Sequence, residues 1–372
     1  MVIKNAQIIN NGIPIIQDIL INNRSVELIA DNISCPSGHD LLDIQGDFLS
    51  PGFVDVHTHA FMGMDMMQGE NAVRHMSREL YKAGVQAFLP TTMSASEEDT
   101  LAAIQGVANV MRRPESEGAV VLGVHMEAPF LNNECCGAQD TQFFQLPGIE
   151  AFKRITGNAE NCVKMITLAP ELPGAFAFIQ WLTQQNIVIS IGHSTADANI
   201  MKRAIDMGLN HVTHMFNAQT PILHRAPGVP GVALTDDRVY TECIPDLIHL
   251  HREILIIAAK CKQADKMVLV TDAMEAAGLQ DGGYTLGGRK VIVHDGAARL
   301  ENGTLSGSTL LMSRGVNNML SLGITFPEVI KMAVSTPARS IGVHIHSELS
   351  VGYTLPLNRY NAQYRHVGVI TN

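Results

Sequence analysis

The sequence predicts a (β/α)8 TIM barrel with a small β-sandwich domain formed from both chain termini. Eight apolar, β-rich runs recur between residues 51 and 345, and a helix-like stretch or a long loop follows each run. Residues 1–50 and 346–372 instead contain short strand-like pieces with turn signals and no helical period. We therefore expect a small β domain over 1–50 and 346–372 and a barrel domain over 51–345.

The eight runs alternate with helical patterns, as a barrel requires. The helical patterns include SASEEDTLAAIQGVANVMRR, where Ser94 and Glu97 have capping-box spacing, and TADANIMKRAIDMGLN, which closes on Gly208. A doubly wound sheet is the alternative, but no GxGxxG follows an early strand and eight strands are many for one such domain. The runs are, in chain order, FVDVHTH, QAFLPTT, VVLGVHME, VKMITLAPE, IVISIGHS, HVTHMFNA, VYTECIPDL and KMVLVTDAM.

The charge balance and hydropathy argue against nucleic acid and membrane partners. The formal net charge is -10, whereas duplex binding depends on Lys and Arg neutralising phosphates. No apolar run approaches the roughly 18 residues of a membrane span, and the opening MVIKNAQIINNG does not resemble a signal peptide. Six cysteines occur without CxxC spacing, which is typical of free thiols in a reducing cytoplasm. We expect a cytoplasmic protein.

Imidazoles and carboxylates lie at or near the carboxyl ends of five of the eight runs. His57 and His59 are two residues apart, so both point to one face of a strand. Strand carboxyl ends meet at one mouth of a barrel, and these are the ligands of a catalytic zinc-like ion. The alternative is a set of satisfied polar side chains, but isolated buried charges are costly, so the pattern favours metal. The ligand candidates are His57, His59, Glu127, His193 and His214.

This ligand set indicates hydrolytic chemistry. An ion with an open coordination position polarises a carbonyl and lowers the pKa of bound water, which suits cleavage of an amide or ester. A carboxylate must then move the proton to the leaving group, and Asp272 in the last run is the candidate general base and acid. The alternative role for Asp272 is a further metal ligand. We expect His125 and His211 to lie in the core or behind the ligands.

Six segments carry a resemblance to a known family. PGFVDVHTHAF, HMEAPF, GHSTA, THMFNAQ, VTDAM and NGTLSGSTL together resemble the amidohydrolase superfamily, and within it the N-acetylglucosamine-6-phosphate deacetylase family. The resemblance covers residues 51–345. It implies that an N-acetyl sugar 6-phosphate and water give the amino sugar 6-phosphate and acetate, in a metal-dependent homodimer.

The resemblance also implies a metal arrangement. Glu127, His193 and His214 match the ligands of the principal ion, and Asp272 matches the catalytic acid and base. Some relatives lack the HxH histidines, whereas His57 and His59 are both present here, so a second ion bridged by Glu127 is expected. We expect one or two divalent ions per subunit, with zinc preferred and iron, manganese or cobalt as alternatives.

Further motifs imply contacts with the sugar phosphate. Arg225 in HRAPG matches a phosphate-binding arginine, whose guanidinium can grip phosphate oxygens in a bidentate manner. His249 in PDLIH matches a histidine that reaches the phosphate site of the partner across the dimer interface. The implied substrate-binding residues are Ala138, Asn217, Ala218, Arg225, His249, Leu305, Ser306 and Gly307.

Two departures from the family pattern leave alternatives open. PDLIH replaces the usual ADGxH, and Pro245, Leu247 and Ile248 alter the wall that meets the sugar, so N-acetylgalactosamine 6-phosphate is a rival substrate. The C-terminal VGYTLPLNRYNAQY lacks the family's glycine-led turn before an Ala-Asp pair, which concerns the small β domain. Cyclic amides and N-acyl amino acids are further substrate alternatives. A non-catalytic barrel that acts as a scaffold is the alternative from another class.

Overall fold

The computed structural model describes residues 1–371 and contains 21 strands, ten α-helices and four short 3-10 helices there. The strands are β1 (Val2–Asn10), β2 (Ile13–Asn22), β3 (Ser25–Ala30), β4 (Leu41–Asp43), β5 (Phe48–Pro51), β6 (Phe53–Thr58), β7 (Ala60–Phe61), β8 (Met64–Asp65), β9 (Val85–Pro90), β10 (Val120–Val121), β11 (Val124–Met126), β12 (Val163–Leu168), β13 (Val188–Ile191), β14 (His211–Val212), β15 (Tyr240–Cys243), β16 (Met267–Leu269), β17 (Gly282–Leu286), β18 (Arg289–His294), β19 (Ala297–Arg299), β20 (Leu357–Tyr360) and β21 (His366–Ile370). The helices are α1 (Glu70–Lys82), α2 (Glu97–Arg112), α3 (Ile149–Thr156), α4 (Ala175–Gln184), α5 (Ala198–Asp206), α6 (Gly228–Thr235), α7 (Arg252–Lys266), α8 (Met312–Ser321), α9 (Phe326–Ala333) and α10 (Ser335–Ser340).

The centre of the molecule is a curled parallel sheet. Strands β6, β9 and β10 form one three-stranded section, and β11 to β16 form a six-stranded section in chain order. A parallel bridge between Thr91 and His125 links the first section to β11, and another between Thr58 and Ala273 links β6 to the residues after β16. Each of the eight predicted runs contains a strand of this sheet, because each is apolar enough to be buried on both faces.

Helices cover the outside of the curled sheet, and the predicted helices are present with one correction at a cap. The helix after β9 begins at Glu97, but its capping residue is Ser96, whose side chain accepts a hydrogen bond from the Asp99 N–H. The prediction of Ser94 as the cap was wrong. Ser94 lies outside the helix, where its hydroxyl accepts from the Asp140 N–H at 2.6 Å.

Both ends of the chain contribute to one seven-stranded sheet, called here the terminal sheet. Its strand order is β21-β20-β5-β1-β2-β3, with β4 paired to β1. The C-terminal strand β20 runs antiparallel to β5, and Leu357 pairs with Pro51. Phe326 of α9 packs against Tyr360 with ring centroids 5.0 Å apart, so aromatic contacts join this sheet to the helical layer.

A third, antiparallel sheet of β17, β18 and β19 follows the last parallel strand. The sequence indicated only a long turn-rich segment here. Leu286 at the end of β17 reaches the cavity described below, and Arg289 Nη1 donates to the Ala138 carbonyl at 3.1 Å. This sheet therefore supports one wall of the cavity. Within residues 1–371, no helix has both the length and the apolar character needed to cross a membrane.

Candidate metal centre and substrate cavity

A cavity of about 460 Å³ opens where the parallel strands end. Five of the six predicted metal and catalytic residues line it, and the sixth, His57, lies directly behind His59 with its Nε2 atom 3.3 Å from His59 Nε2. A larger cavity of about 670 Å³ lies beside α9 and α10 and contains none of the predicted site residues. The five lining residues are His59, Glu127, His193, His214 and Asp272.

One group of ligand atoms forms around Glu127, which follows β11 directly. Its Oε1 atom lies 3.2 Å from His193 Nε2 and 3.0 Å from His214 Nε2, and the two Nε2 atoms are 3.1 Å apart. Both histidines come two residues after a parallel strand and have positive φ angles, 48° and 29°. Non-glycine residues rarely adopt such angles, and this strain is typical of functional sites.

A second group shares Glu127 with the first. His59 Nε2 lies 3.4 Å from Glu127 Oε2, and His57 Nε2 lies 3.6 Å from Glu127 Oε1. Asp272 Oδ1 completes the group at 3.1 Å from His59 Nε2 and 3.4 Å from His57 Nε2. We call the two groups together, His57, His59, Glu127, His193, His214 and Asp272, the histidine–carboxylate cluster.

The hydrogen bonds at Nδ1 show which nitrogen of each imidazole is free to bind a metal ion. In three histidines the Nδ1 atom lies beside a carbonyl or carboxylate oxygen, which can only accept, so Nδ1 carries the hydrogen and Nε2 keeps a lone pair. Several lone pairs then converge within hydrogen-bond distance of one another, an arrangement that a cation stabilises. The residues therefore fit a bound metal ion. The pairs are His57 with Glu242 Oε2 at 2.9 Å, His59 with Thr91 O at 3.0 Å and His193 with Cys135 O at 2.8 Å.

The electrostatics of the cluster also favour positive charge. Burial raises the pKa of Asp272, but the charges of His57 and His59 outweigh this effect and lower the pKa to about 2. Burial lowers the pKa of His57, but the surrounding carboxylates, chiefly Asp272, outweigh it and raise the pKa to about 10. The described residues that line the cavity include no lysine or arginine. The field that holds a proton on His57 therefore favours a divalent cation at the same place.

Two residues at the cluster were missed from the sequence. Glu242 on β15 is fully buried, and its Oε2 accepts from the His57 Nδ1–H and the His214 N–H, both at 2.9 Å. Gln139 donates from Nε2 to Glu127 Oε2 at 2.6 Å. Glu242 had a usable signal, because it is a lone acid inside the apolar run VYTEC. The only sequence signal for Gln139 was its position next to Ala138.

Six of the eight predicted substrate-binding residues line the cavity. Ser306 does not; it is fully buried, and its Oγ has no hydrogen-bond partner in the part of the chain that the structure describes. Gly137 allows the loop before Ala138 to pass close to the cluster, because its φ is 58° and a Cβ atom there would lie 3.3 Å from His193 Cε1. The six lining residues are Ala138, Asn217, Ala218, His249, Leu305 and Gly307.

The two residues expected to bind phosphate lie in different surroundings. His249 lines the cavity of its own chain, and its Nδ1 is 2.7 Å from Asp246 Oδ2. Arg225 is exposed, lies 2.7 Å from His224 Nε2 through Nη1, and is not among the residues lining the cavity. The contact of His249 with a partner subunit and the phosphate role of Arg225 stay predictions.

The fold, and a cluster of residues that could hold a metal ion, are typical of hydrolases of the amidohydrolase kind, and comparison with known proteins agrees. Residues 48–354 match the Amidohydrolase family. The chain belongs to this family and, within it, to the family of the N-acetylglucosamine-6-phosphate deacetylases.

Three relatives make the comparison specific. The N-acetylglucosamine-6-phosphate deacetylase of Lysinibacillus sphaericus is 35% identical over 95% of this chain and 92% of its own length. The N-acetylgalactosamine-6-phosphate deacetylase of Escherichia coli O157:H7 is 36% identical over 80% and 79% of the two chains. An aspartate-to-alanine mutant of the Mycobacterium smegmatis N-acetyl-D-glucosamine-6-phosphate deacetylase, solved with N-acetyl-D-glucosamine-6-phosphate, superposes with a TM-score of 0.88 at 27% identity, covering 100% and 97% of the chains.

Proposed function

We propose that the protein hydrolyses the N-acetyl group of N-acetylglucosamine 6-phosphate to give glucosamine 6-phosphate and acetate. The observation that carries this proposal is the convergence of four histidine Nε2 atoms with Glu127 and Asp272 at the base of one cavity. The cavity volume of about 460 Å³ lies within the usual range for small-molecule sites, about 300–1,000 Å³. Relatives with this activity cover nearly the whole chain.

We propose that the curled sheet is a (β/α)8 barrel and that the chain divides into two domains. Nine parallel strands, of which β10 and β11 belong to one predicted run, and the bridges at Thr58 and Thr91 support the barrel. The terminal sheet supports a small β domain over 1–50 and 346–372, with the metal-dependent catalytic domain over 51–345. This division puts the cluster at the carboxyl ends of the strands, where barrels carry out their chemistry.

The cluster would hold one or two divalent ions. Glu127, His193 and His214 would bind the first, and His57 and His59 with Glu127 would bind the second. We propose zinc, which accepts imidazole and carboxylate ligands, with iron, manganese or cobalt as alternatives. A bound ion supplies a Lewis acid for the acetyl carbonyl and makes water a stronger acid.

Asp272 is the acid and base of the proposed reaction. Because its pKa is about 2, the carboxylate is ionised at neutral pH and can take a proton from the attacking water. The carboxyl group then passes this proton to the nitrogen of the departing amino sugar as the bond between carbon and nitrogen breaks. The water oxygen leaves in acetate. Oδ1 of Asp272 faces both HxH imidazoles, which keeps the carboxylate in place between these transfers.

The cavity wall would bind the sugar phosphate. Ala138, Asn217, Ala218 and the segment 305–307 surround the cluster and would contact the sugar. We propose a homodimer in which His249 reaches the phosphate site of the partner and Arg225, which is exposed and lies apart from its own cavity, also binds phosphate. Sedimentation equilibrium tests the dimer, and a monomer at micromolar concentration would contradict it.

We also propose that the protein works in the cytoplasm. All six cysteines are free, and Cys35 and Cys261 are exposed. Exposed free thiols persist in a reducing compartment and are oxidised elsewhere. A fractionation of the source cells that places the protein in the cytoplasm would agree with this proposal, and secretion with intact disulfides would contradict it.

N-acetylgalactosamine 6-phosphate is the second candidate substrate. It is favoured by the relative that is named as an N-acetylgalactosamine-6-phosphate deacetylase and by the PDLIH segment, where Pro245, Leu247 and Ile248 replace the usual residues beside His249. The two substrates differ only in the orientation of the C4 hydroxyl. Of the PDLIH residues only His249 lines the cavity, so this segment would affect discrimination through the position of His249.

Acetate release tests the proposed function. Purified protein is assayed with the 6-phosphates of N-acetylglucosamine and N-acetylgalactosamine, before and after removal of metal by a chelator. We expect release from the gluco substrate that chelation abolishes and added zinc restores. A kcat/KM that strongly favours the galacto substrate would replace the first candidate by the second. No release from either sugar would refute the proposed function.

A further inference from the structure

Glu242 connects the two groups of the histidine–carboxylate cluster through one atom. Its Oε2 accepts from the Nδ1–H of His57, which belongs to the second group, and from the N–H of His214, which belongs to the first, each at 2.9 Å. The side chain is fully buried. It lies behind the ligands and does not line the cavity, so it touches neither substrate nor the reacting atoms.

The two hydrogen bonds have different consequences. The bond to His57 sets the ring tautomer, because a proton held on Nδ1 leaves the Nε2 lone pair facing His59 and Asp272. The bond to His214 instead holds the backbone of a first-group ligand. It fixes the N–H of His214 at an unusual φ of 29° and so helps to position this residue. The imidazole of His57 has no other anchor at Nδ1, whereas His214 is also held by its chain neighbours in β14 and by the Met215 N–H bond to Glu242 O.

Within residues 1–371, the second carboxylate oxygen has no hydrogen-bond partner. Oε1 of Glu242 is buried, and His211 Nδ1 lies 3.7 Å from it. Leaving a buried ionised oxygen unpaired is costly unless a positive charge lies nearby. The His57 ring lies between this carboxylate and the ligand atoms of the second group. A cation held at Nε2 would therefore lie one ring away from Glu242 and would stabilise its negative charge.

We propose that Glu242 is the positioning residue that makes the His57–His59–Glu127 group able to hold a second divalent ion. It orients His57 through Nδ1 and its negative charge raises the affinity of the ring for a cation at Nε2. This inference rests on the two-ion binding that forms part of the proposed function, and it makes the second site depend on a residue that contacts neither the metal nor the substrate.

Metal titration of the Glu242→Gln variant tests the proposal. The amide has nearly the same shape but no charge, and loss of such a partner lowers metal affinity by about 10–100-fold. Calorimetric titration of chelator-treated subunits with zinc should give two sites in the unaltered protein. In the variant, the weaker site should lose about 10–100-fold in affinity, and the tighter site should change by less than threefold.

Two further variants separate positioning from general damage. Asp18→Asn makes the same exchange at a buried carboxylate of the terminal sheet and should leave both zinc affinities unchanged. Glu242→Asp keeps the charge but withdraws it by one methylene, so it should also weaken the second site and serves if the glutamine variant does not fold. The unfolding temperature of each metal-free variant shows whether its fold is intact.

A double-variant cycle with His57→Asn tests whether Glu242 affects zinc binding through His57. If Glu242 acts through His57, adding Glu242→Gln to His57→Asn should not weaken zinc binding further. Additive losses would overturn the proposal, as would unchanged zinc binding in both folded Glu242 variants or only one zinc site in the unaltered protein. Two zinc sites without acetate release would refute the proposed function and leave this inference standing.

Discussion

The strand ends that carry the histidine–carboxylate cluster and the terminal sheet both bury charged groups, but they satisfy them differently. In the terminal sheet, Asp18 is 5% exposed and its oxygens accept from the Lys4 ammonium and from the N–H groups of Asn5 and Ile33. At the cluster, Glu127 accepts from Gln139, but both Glu127 and Asp272 also face imidazoles of which three already donate through Nδ1. Protein groups complete the first arrangement, whereas a cation would complete the second.

This difference indicates which region serves stability and which serves chemistry. The terminal sheet builds its contacts from paired strands and from a carboxylate that is fully hydrogen-bonded. The cluster instead brings imidazole nitrogens and carboxylate oxygens to within about 3 Å of one another. Such a site costs stability in the metal-free protein, so the same exchange should lower activity at the cluster and stability in the terminal sheet.

The largest effect is expected for Asp272→Asn. The amide has nearly the same shape but cannot take the proton from water, so kcat should fall by about 100-fold to 10,000-fold. Zinc content, measured by mass spectrometry, should stay close to normal because four histidines and Glu127 remain. A variant that keeps more than a tenth of normal kcat would contradict the role of Asp272.

The matched change in the terminal sheet is Asp18→Asn, which should lower stability and leave catalysis unchanged. Lys4 loses its ionic partner, and an NH2 donor replaces one of the two carboxylate oxygens that accept hydrogen bonds. The free energy of unfolding should fall by about 1–3 kcal/mol. Urea unfolding measures this loss, and acetate release should proceed with unchanged kcat and KM. A large loss of kcat in the folded variant would contradict the claim that Asp18 serves stability and not catalysis.

The smallest expected effect is a pH dependence of stability in the metal-free protein. The pKa of His57 is raised from 6.5 to about 10, so its protonation contributes stability that is complete below about pH 6.5 and is lost as the pH rises through about 10. Chelator-treated protein should therefore unfold at lower urea concentration at pH 10 than at pH 7. His57→Asn should reduce this difference in urea concentration, and Asp18→Asn should not. The same difference in His57→Asn as in the unaltered protein would contradict the assignment of the pH dependence to His57.

The sequence predicted the strands and the cluster because both follow from short-range rules. Buried parallel strands are continuous apolar runs, and a polar residue where such a run ends is conspicuous. His57 and His59 could be assigned to one face from their spacing of two, and their Nε2 atoms are 3.3 Å apart. Glu242 has the same signal as Glu127 within its run, but a residue behind the ligands is recognised only when the strands are in place.

Contacts between distant segments could not be predicted in this way. Ser94 has a capping-box spacing, but the loop at Gln139 and Asp140 takes up its hydrogen-bonding groups instead. The sheet of β17, β18 and β19 was hidden because β17 begins with one glycine pair and a second pair forms the turn to β18, and such pairs are typical of turns. The exposed position of Arg225 depends on a loop of Pro and Gly residues, whose path no periodic pattern specifies.

Anomalous X-ray diffraction from crystals soaked in zinc can show whether the histidine–carboxylate cluster binds two ions, because it locates ions without reference to activity. We expect one peak among Glu127, His193 and His214 and a second among His57, His59 and Glu127. Crystals without an anomalous peak at either position, grown from protein that still releases acetate after chelator treatment, would contradict this expectation.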